Sequence, residues 1–450
     1  MEDLKSLLEN HEHDRLEEIM SDYHPSDTAA WISVYDPSFR KEILEHLSEM
    51  LAADILNYMD SDLARETLER FPTAKAGKLI IEMDTDEATD LLKALSPQQR
   101  KSILSALKPK DRHLMNRFLG YEEESAGAIM TSDAIVVEET MDVKEAMKIL
   151  IDNAVSTESI QRLFVTSSNG VLTGVLELKD LIQARSPMVV SKIMQDHPVA
   201  VHETTPAEEA AKTMRNYQLY LLPVVDESGV IQGAITLDDA LDILEEAGEE
   251  DYARFANISM EASVRDSLFR SAFHRLPWLT ILLGLGLIVS AIISAFENTL
   301  SQVTVLVLFQ PLILGMAGNT GTQSLAVTIR GLGNQYYLDR EEAREHIKRE
   351  FKSGMINGVA IGLLGFLTTI SFLLITGALD SNPWLVAATV SGALFFALSI
   401  ASIFGAAIPL LLHRLGFDPA AASGPFITTL NDVLALTIYF TLATLIILSL

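Results

Sequence analysis

The sequence predicts a multidomain chain: an all-α superhelical N domain, an α/β tandem pair, an acidic connecting helix and a five-helix α transmembrane domain. Three observations predict it. Large hydrophobic residues recur every twelve positions from Tyr35 to Leu107, and two similar stretches then follow one another about 60 residues apart. After Arg275, long apolar runs without charge fill the rest of the 450 residues.

Charge separates these regions. The chain has 34 basic and 61 acidic side chains and a net charge of -27. Of these, 52 acids and 27 bases lie up to Arg275, which gives that part a net -25 and leaves -2 for the remainder. Such an acidic balance argues against nucleic acid, whose phosphates need lysine and arginine, whereas carboxylates attract cations. Cysteine is absent, which excludes disulfides, thiolate metal sites and cysteine nucleophiles. No apolar signal-peptide core lies near Met1, so the soluble part is expected to stay on the side of synthesis.

The first domain, residues 1–124, carries Tyr35, Leu47, Met59, Phe71, Met83, Leu95 and Leu107 at the twelve-residue interval. A cap or breaker follows each time: Asp36-Pro37, Ser48, Asp60-Ser61, Pro72, Asp84, Ser96-Pro97 and Pro109. Aspartate and serine satisfy the free N–H groups of a helix start, and proline is tolerated in the first turn. The spacing predicts helices of about nine residues stacked as a short superhelical array. Carboxylates decorate it, and composition does not separate a plain scaffold from one with a cation-sensing face.

The second domain, residues 125–247, divides at about 125–187 and 188–247. Its first stretch runs from Met130-Thr131 through Val143–Asn153, Leu163-Phe164-Val165 and Gly170-Val171-Leu172-Thr173-Gly174 to Leu178–Gln183. The second runs from Met194-Gln195 through Ala207–Asn216, Leu222–Asp226 and Gly229-Val230-Ile231-Gln232-Gly233 to Leu237–Leu244. Each reads strand, helix, strand, turn, strand, helix. These residues resemble paired cystathionine-β-synthase (CBS) domains. The resemblance implies adenosine-nucleotide binding through a Gly-x-x-Thr-x-x-Asp arrangement, which Gly233, Thr236 and Asp239 match. The first copy departs from it, with Glu177 in the hydroxyl position. On the residues alone, Asp239 can equally support its helix start, or share a cation with Asp242 three positions on.

Residues 248–275 form the expected connecting helix, preceded and opened by Glu245, Glu246, Glu249, Glu250 and Asp251. Crowded like charges repel unless a counterion bridges them, by about 1 kcal/mol per close pair at high dielectric. A divalent ion could therefore bias this connector between two arrangements.

Five membrane spans are predicted in residues 276–450, at about 276–296, 303–330, 354–379, 384–412 and 425–450. The first holds 21 residues without a charge, enough to cross a hydrocarbon core of about 30 Å. Basic residues cluster on one side, at Arg265, Arg270, Arg275, the six from Arg330 to Lys352, and Arg414. The positive-inside rule then predicts a plasma-membrane protein with cytoplasmic N-terminal domains and the C-terminus outside. Asp432 is the acid well inside a span, with Asn431 beside it and Thr428 one turn before. Ionisable groups at that depth are functional candidates. The second span holds Gly315-Met316-Ala317-Gly318-Asn319-Thr320-Gly321-Thr322-Gln323. Its glycines suit either a broken helix lining a wet cavity or close packing of helices.

The run Pro311–Gln323, together with Pro425-Phe426-Ile427-Thr428-Thr429-Leu430-Asn431-Asp432, resembles the MgtE family of magnesium channels, and the domain order matches as well. The resemblance implies a homodimer in the lipid bilayer with its pore between two membrane domains. It implies ion selection at Asp432, with Asn319, Gly315, Gly318, Thr428 and Asn431 along the ion path. It implies regulatory Mg2+ held by Asp54, Asp86 and Asp90 in the N domain and by Asp239 and Asp242 in the second repeat. Glu250 and Asp251 on the connecting (plug) helix, Asp418 in the last cytoplasmic loop and, more weakly, Glu208 complete that set. The chain departs from the family pattern at Gln218, Ala247 and Gly424. Magnesium sheds water slowly and is held through few carboxylates with waters retained, which suits paired Asp432 side chains. The expected function is a magnesium-selective channel importing Mg2+ and closed by cytosolic Mg2+, with ATP as a further ligand. The alternative is a carrier or channel for Co2+ or Mn2+ regulated by nucleotide at the tandem pair. No lysine phosphate loop, serine-histidine-aspartate set or zinc motif stands out, so an enzyme is not expected.

Overall fold

A repeat of twelve residues makes a regular array only if every helix starts and stops at the same phase; side-chain caps mark that phase at Asp36, Asp60 and Ser96, whereas Ser48 and Asp84 stand at their helix starts without a capping hydrogen bond. The computed structural model describes residues 7, 8, 10, 12–132, 134–154, 157, 159–256, 267–333, 336, 337, 339–377, 382–417, 419 and 424–448. The N-terminal helices are α1 (His13–Ser21), α2 (Pro25–Ile32), α3 (Pro37–Glu45), α4 (Glu49–Asn57), α5 (Ser61–Leu68), α6 (Thr73–Glu82), α7 (Thr85–Ala94), α8 (Pro97–Ala106) and α9 (Pro109–Phe118). Each begins twelve residues after the last. The Asp36 carboxylate accepts from the Ser38 and Phe39 N–H groups, and Asp60 does the same for Asp62 and Leu63. Ser96 and Gln99 form a reciprocal capping box.

From α2 onward each helix packs on the one two places along, α2 on α4 through to α7 on α9, so the helices stack in two rows. Leu47, Met59, Phe71, Met83, Leu95 and Leu107 are all buried in the core between them. They sit just past the helix ends, where each closes a turn over the row behind.

The tandem pair follows as β1 (Val136–Glu138), α10 (Val143–Asn153), β2 (Arg162–Thr166), β3 (Leu172–Glu177), α11 (Leu178–Gln183), β4 (Gln195–Asp196), β5 (Val201–His202), α12 (Ala207–Tyr217), β6 (Leu221–Val225) and β7 (Ile231–Thr236). One sheet has the order β1-β2-β3-β4 and the other β5-β6-β7. The opening segments are exchanged between the copies. Gln195-Asp196 pairs with β3 of the first copy, and Thr131 bridges Ala234 of the second. Thr131 and Gln195, which sequence order gives to the first and second repeats, thus each pair with a strand of the other copy. The glycines allow the crossing: a Cβ on Gly233 would lie 2.5 Å from the Thr131 carbonyl oxygen, and one on Gly174 2.9 Å from that of Gln195.

Helix α13 runs without interruption from Leu237 to Ala256. The last helix of the second repeat and the start of the connector are thus one element, and two compact units divide within it, between Ala247 and Gly248.

The second unit contains α14 (Leu268–Ala295), α15 (Glu297–Gln302), α16 (Gln310–Gly333), α17 (Arg340–Thr376), α18 (Pro383–Arg414) and α19 (Gly424–Ala443). Among the described residues, five segments are long and apolar enough to cross a membrane: 268–295, 304–333, 340–376, 383–414 and 424–446. The connector expected over 248–275 thus shares its last residues with the first spanning helix. The broken helix allowed for in the second span is not found within the glycine signature, because α16 is continuous through Gly315–Gln323. The irregular backbone lies before it, where Thr304–Phe309 is a 3-10 turn. Gly318 and Gly321 serve close packing instead, while Gly315 stands open. Gly354, Gly358 and Gly362 of α17 similarly let Ser402, Phe395 and Ser391 of α18 approach.

Candidate ion sites

In the membrane unit α16 and α19 meet through small residues. A Cβ on Gly318 would lie 2.9 Å from Cγ2 of Thr428. The Asn431 amide lies so close over Gly321 that a Cβ there would overlap it. Asn431 is 1% exposed, and among the described residues neither its Oδ1 nor its Nδ2 has a hydrogen-bond partner. A buried, unpaired amide costs on the order of 2 kcal/mol or more, so its place there demands a reason. The next residue, Asp432, projects about 100° further round the helix. It is half-buried, and among the described residues it makes neither hydrogen bond nor ion pair.

The Thr428 hydroxyl donates back to the Gly424 carbonyl at 2.9 Å. Thr428 also lines a groove of about 780 Å³ with Thr322, Gln323 and Thr429. Asp432 and Asn319 are not among its walls. Gly315 and Asn319 share a different, exposed face of α16. Within one chain, then, Gly318, Thr428 and Asn431 come together, with Asp432 adjacent to them, while Gly315 and Asn319 face elsewhere.

In the soluble unit, the first turns of α7 carry Asp86, Glu87 and Asp90, with Asp84 at the N-cap position accepting from the Asn57 amide rather than capping the helix, and they face Asp239 and Asp242 of α13. Burial, with Asp239 and Glu87 nearby, holds the Asp86 carboxyl well above its usual range. Burial, then Asp90, Asp239, Asp84 and Asp242, pushes Glu87 up to about 7. Asp239 is also raised by burial, against the opposing pull of its hydrogen bond from Thr236. The Asp86 Oδ1 is buried without a hydrogen-bond partner among the described residues. Asp90 is paired with Lys93 at 3.0 Å, and the crowding of the other acids around Asp86 is one a further cation would relieve. Among the described residues, no three carboxylates or histidines are placed to chelate one ion directly.

Other expected ligands lie apart. Asp54 is raised by burial and by Glu82 rather than by the α7 acids. Glu208 is paired with Lys212 at 2.6 Å. Glu250 is half-buried on α13, while the Asp251 side chain and Asp418 lie outside the described residues. From sequence, Asp84 reads only as a helix cap, and Glu87 is not singled out. Their signal was the Asp-x-Asp-Glu-x-x-Asp run at a helix start, which places Asp84, Glu87 and Asp90 at helical intervals. At the proposed nucleotide position, the Thr236 hydroxyl donates to Asp239 Oδ2 at 2.5 Å, and this bond fastens the start of α13.

The sequence matches the family described as divalent cation transporter over residues 310–442, the MgtE intracellular N domain over 23–124, and the CBS domain over 126–187 and 190–246. It is 37% identical over 326 residues to the magnesium transporter MgtE of Bacillus subtilis (strain 168), covering 72% of this chain and 70% of that one. It is also 37% identical over 328 residues to MgtE of Thermus thermophilus, with the same 72% and 70% coverage. Among solved structures it resembles the soluble part of a magnesium transporter, with TM-score 0.52 and 28% identity, over 54% of this chain and 96% of that one. It also resembles the cytosolic domain of the Mg2+ channel MgtE in complex with ATP, with TM-score 0.50 and 32% identity, over 53% of this chain and 98% of that one. With the helical N domain, the CBS pair and the membrane helices each matched in order, the chain belongs to the MgtE family of magnesium transporters.

Proposed function

We propose that the chain is a magnesium channel whose pore forms where two copies bring their Asp432 side chains together. The observation that carries this reading is Asp432 itself: an unpaired, half-buried carboxylate inside a membrane-spanning helix, next to a buried amide with no partner. Two such carboxylates would hold a magnesium ion through its waters, with Thr428 one turn before to offer an oxygen to the hydration shell and Asn431 buried against Gly321 behind them. A ring of acids is a common cation selector. In this reading the N-terminal domains lie on the cytoplasmic side, where the imported ion leaves, and the C-terminus lies outside.

The α7–α13 acids form the sensor in this reading. Magnesium held by Asp86, Asp90, Asp239 and Asp242, with Asp84 and Glu87 supporting, would favour the arrangement in which those helices stay together. Because α13 continues through Glu250, the same ion would bias the connector and close the pore when cytosolic magnesium is plentiful. ATP at Gly233, Thr236 and Asp239 would compete with the Thr236–Asp239 bond, so nucleotide and sensor are coupled through one carboxylate.

The test is flux into proteoliposomes. Asp432→Ala should reduce magnesium uptake at least tenfold while the protein keeps its melting temperature. Normal flux in that variant removes Asp432 from the path. The family's description as divalent cation transporters favours a second reading, a pore for Co2+ or Mn2+. Uptake in which those ions outcompete magnesium would select it.

A further inference from the structure

We infer that the α16–α17 corner carries a binding site for the phosphate group of an anionic phospholipid. A cavity of about 790 Å³ opens there, and Tyr336, Tyr337, His346, Lys348, Arg349 and Lys352 line it. Its floor is built rather than incidental. Tyr337 adopts a left-handed φ of 67°, and its ring stacks on His346 at 4.2 Å. It also lies so close over Gly331 that a Cβ there would overlap it. His346 is buried and anchored through Nε2 to the Thr328 hydroxyl at 2.8 Å.

Three cations then project into the space. Lys348, Arg349 and Lys352 are exposed, and none makes an ion pair among the described residues. The adjacent carboxylate, Glu350, is directed instead to the Ser324 hydroxyl at 2.7 Å. Glu342 and Glu345 also border the cavity, but they lie about one to two turns further from the apolar run. Of the charges that line the cavity, Glu342 and Glu345 are thus outermost on α17, Lys348, Arg349 and Lys352 come next, and no charge follows from Ser353 to Thr376. That order sets the bases at the depth of lipid headgroups, where each basic residue is worth about 1 kcal/mol toward an anionic leaflet. Tyrosines favour the same boundary, with hydroxyls able to donate to phosphate oxygens. A soluble phosphate would have to approach past the acids, whereas a lipid phosphate meets the bases first.

Native mass spectrometry of the full chain in detergent tests this, with titration by dioctanoyl phosphatidylglycerol, dioctanoyl phosphatidylcholine or sn-glycerol 3-phosphate. The phosphatidylglycerol adduct should form most readily. It should weaken about thirtyfold in the variant Lys348→Gln/Lys352→Gln, from about 1 kcal/mol per lysine. It should persist in Arg340→Gln/Arg344→Gln, an equal charge change outside the cavity, and in Lys348→Arg/Lys352→Arg. Equal weakening by both glutamine pairs overturns the site. Glycerol 3-phosphate binding as tightly as the lipid overturns the lipid as its source. All three cations are exposed, so the substitutions leave the core intact; should the double variant lose its melting transition, Arg349→Gln alone must show the same preference at about fivefold.

Discussion

At Gly405, α18 leaves no room for a methyl group, because a Cβ there would overlap the backbone carbonyl of Gly321 on α16. Backbone cannot rotate aside as a side chain can. Gly405→Ala should therefore cost at least the 1–3 kcal/mol typical of overpacking, read as a lower melting temperature of the detergent-solubilised protein. Gly392→Ala, whose nearest neighbour would be Leu442 at 3.7 Å, should be neutral or gain roughly 0.5 kcal/mol from helix propensity. Equal effects at the two sites would show that the α16–α18 approach is looser than described. A different residue-scale effect arises at the α7 acids. Glu87, pushed up to about 7 from 4.5, binds protons more tightly folded than unfolded. Asp86 and Asp239 are raised in the same sense. Native protons then outnumber unfolded ones across that window, so stability falls as pH rises from about 4.5 through about 7. With chelator present, the soluble unit should melt lower at pH 7.5 than at pH 5.5. The difference should shrink in Glu87→Gln, and a melting temperature that rises over this interval would contradict the crowding of these acids.

Elements were legible in the sequence wherever a local rule fixed them. The helix starts of the N domain follow from capping at a fixed phase, and the five spans follow from length and charge alone. What the sequence left open depended on contacts between distant residues. Nothing in Met130-Thr131 indicates that it bridges Ala234 rather than its own copy, because strand exchange is decided by packing at Gly174 and Gly233. The glycines of α16 fitted a broken helix as well as a packed one, and only the fit of Gly318 and Gly321 against Thr428 and Asn431 separates the two. Of the candidate site, Asp86, Asp90, Asp239 and Asp242 were nameable from the family pattern. Glu87 was not, and Asp84 was legible only as a helix cap, since their place in the acidic cluster comes from facing α13. The continuity of α13 has a consequence at the same scale. Ala247 lies in its interior, and Ala247→Pro removes a helical hydrogen bond and clashes one turn back, at a cost of about 3 kcal/mol. Uptake by this variant should lose its inhibition by cytosolic-side magnesium while remaining dependent on Asp432. Retained inhibition would mean that closure does not travel along this helix.

The whole molecule is a strongly acidic unit joined to an almost neutral one, with -25 of the net charge up to Arg275. Self-repulsion of that size destabilises a compact state unless counterions are held, and half-buried Asp86 and Asp239 are where the repulsion is least screened. Magnesium should therefore act as a folding ligand of the soluble unit as well as cargo of the membrane unit. At a concentration a hundred times its dissociation constant, an ion that binds only the folded state adds about 2.7 kcal/mol. Calorimetry of the full chain should show the transition of the soluble unit rising with magnesium, while that of the membrane unit moves less. Asp86→Asn/Asp239→Asn separates this from general ionic screening. Without magnesium the variant should melt above the parent, because two crowded charges are gone. With magnesium it should gain less, because two ligands are gone as well. Monovalent salt at equal ionic strength should reproduce neither effect. If the variant melts lower without magnesium and gains as much with it, these carboxylates support the fold through ordinary contacts, and the sensor must be sought on another surface.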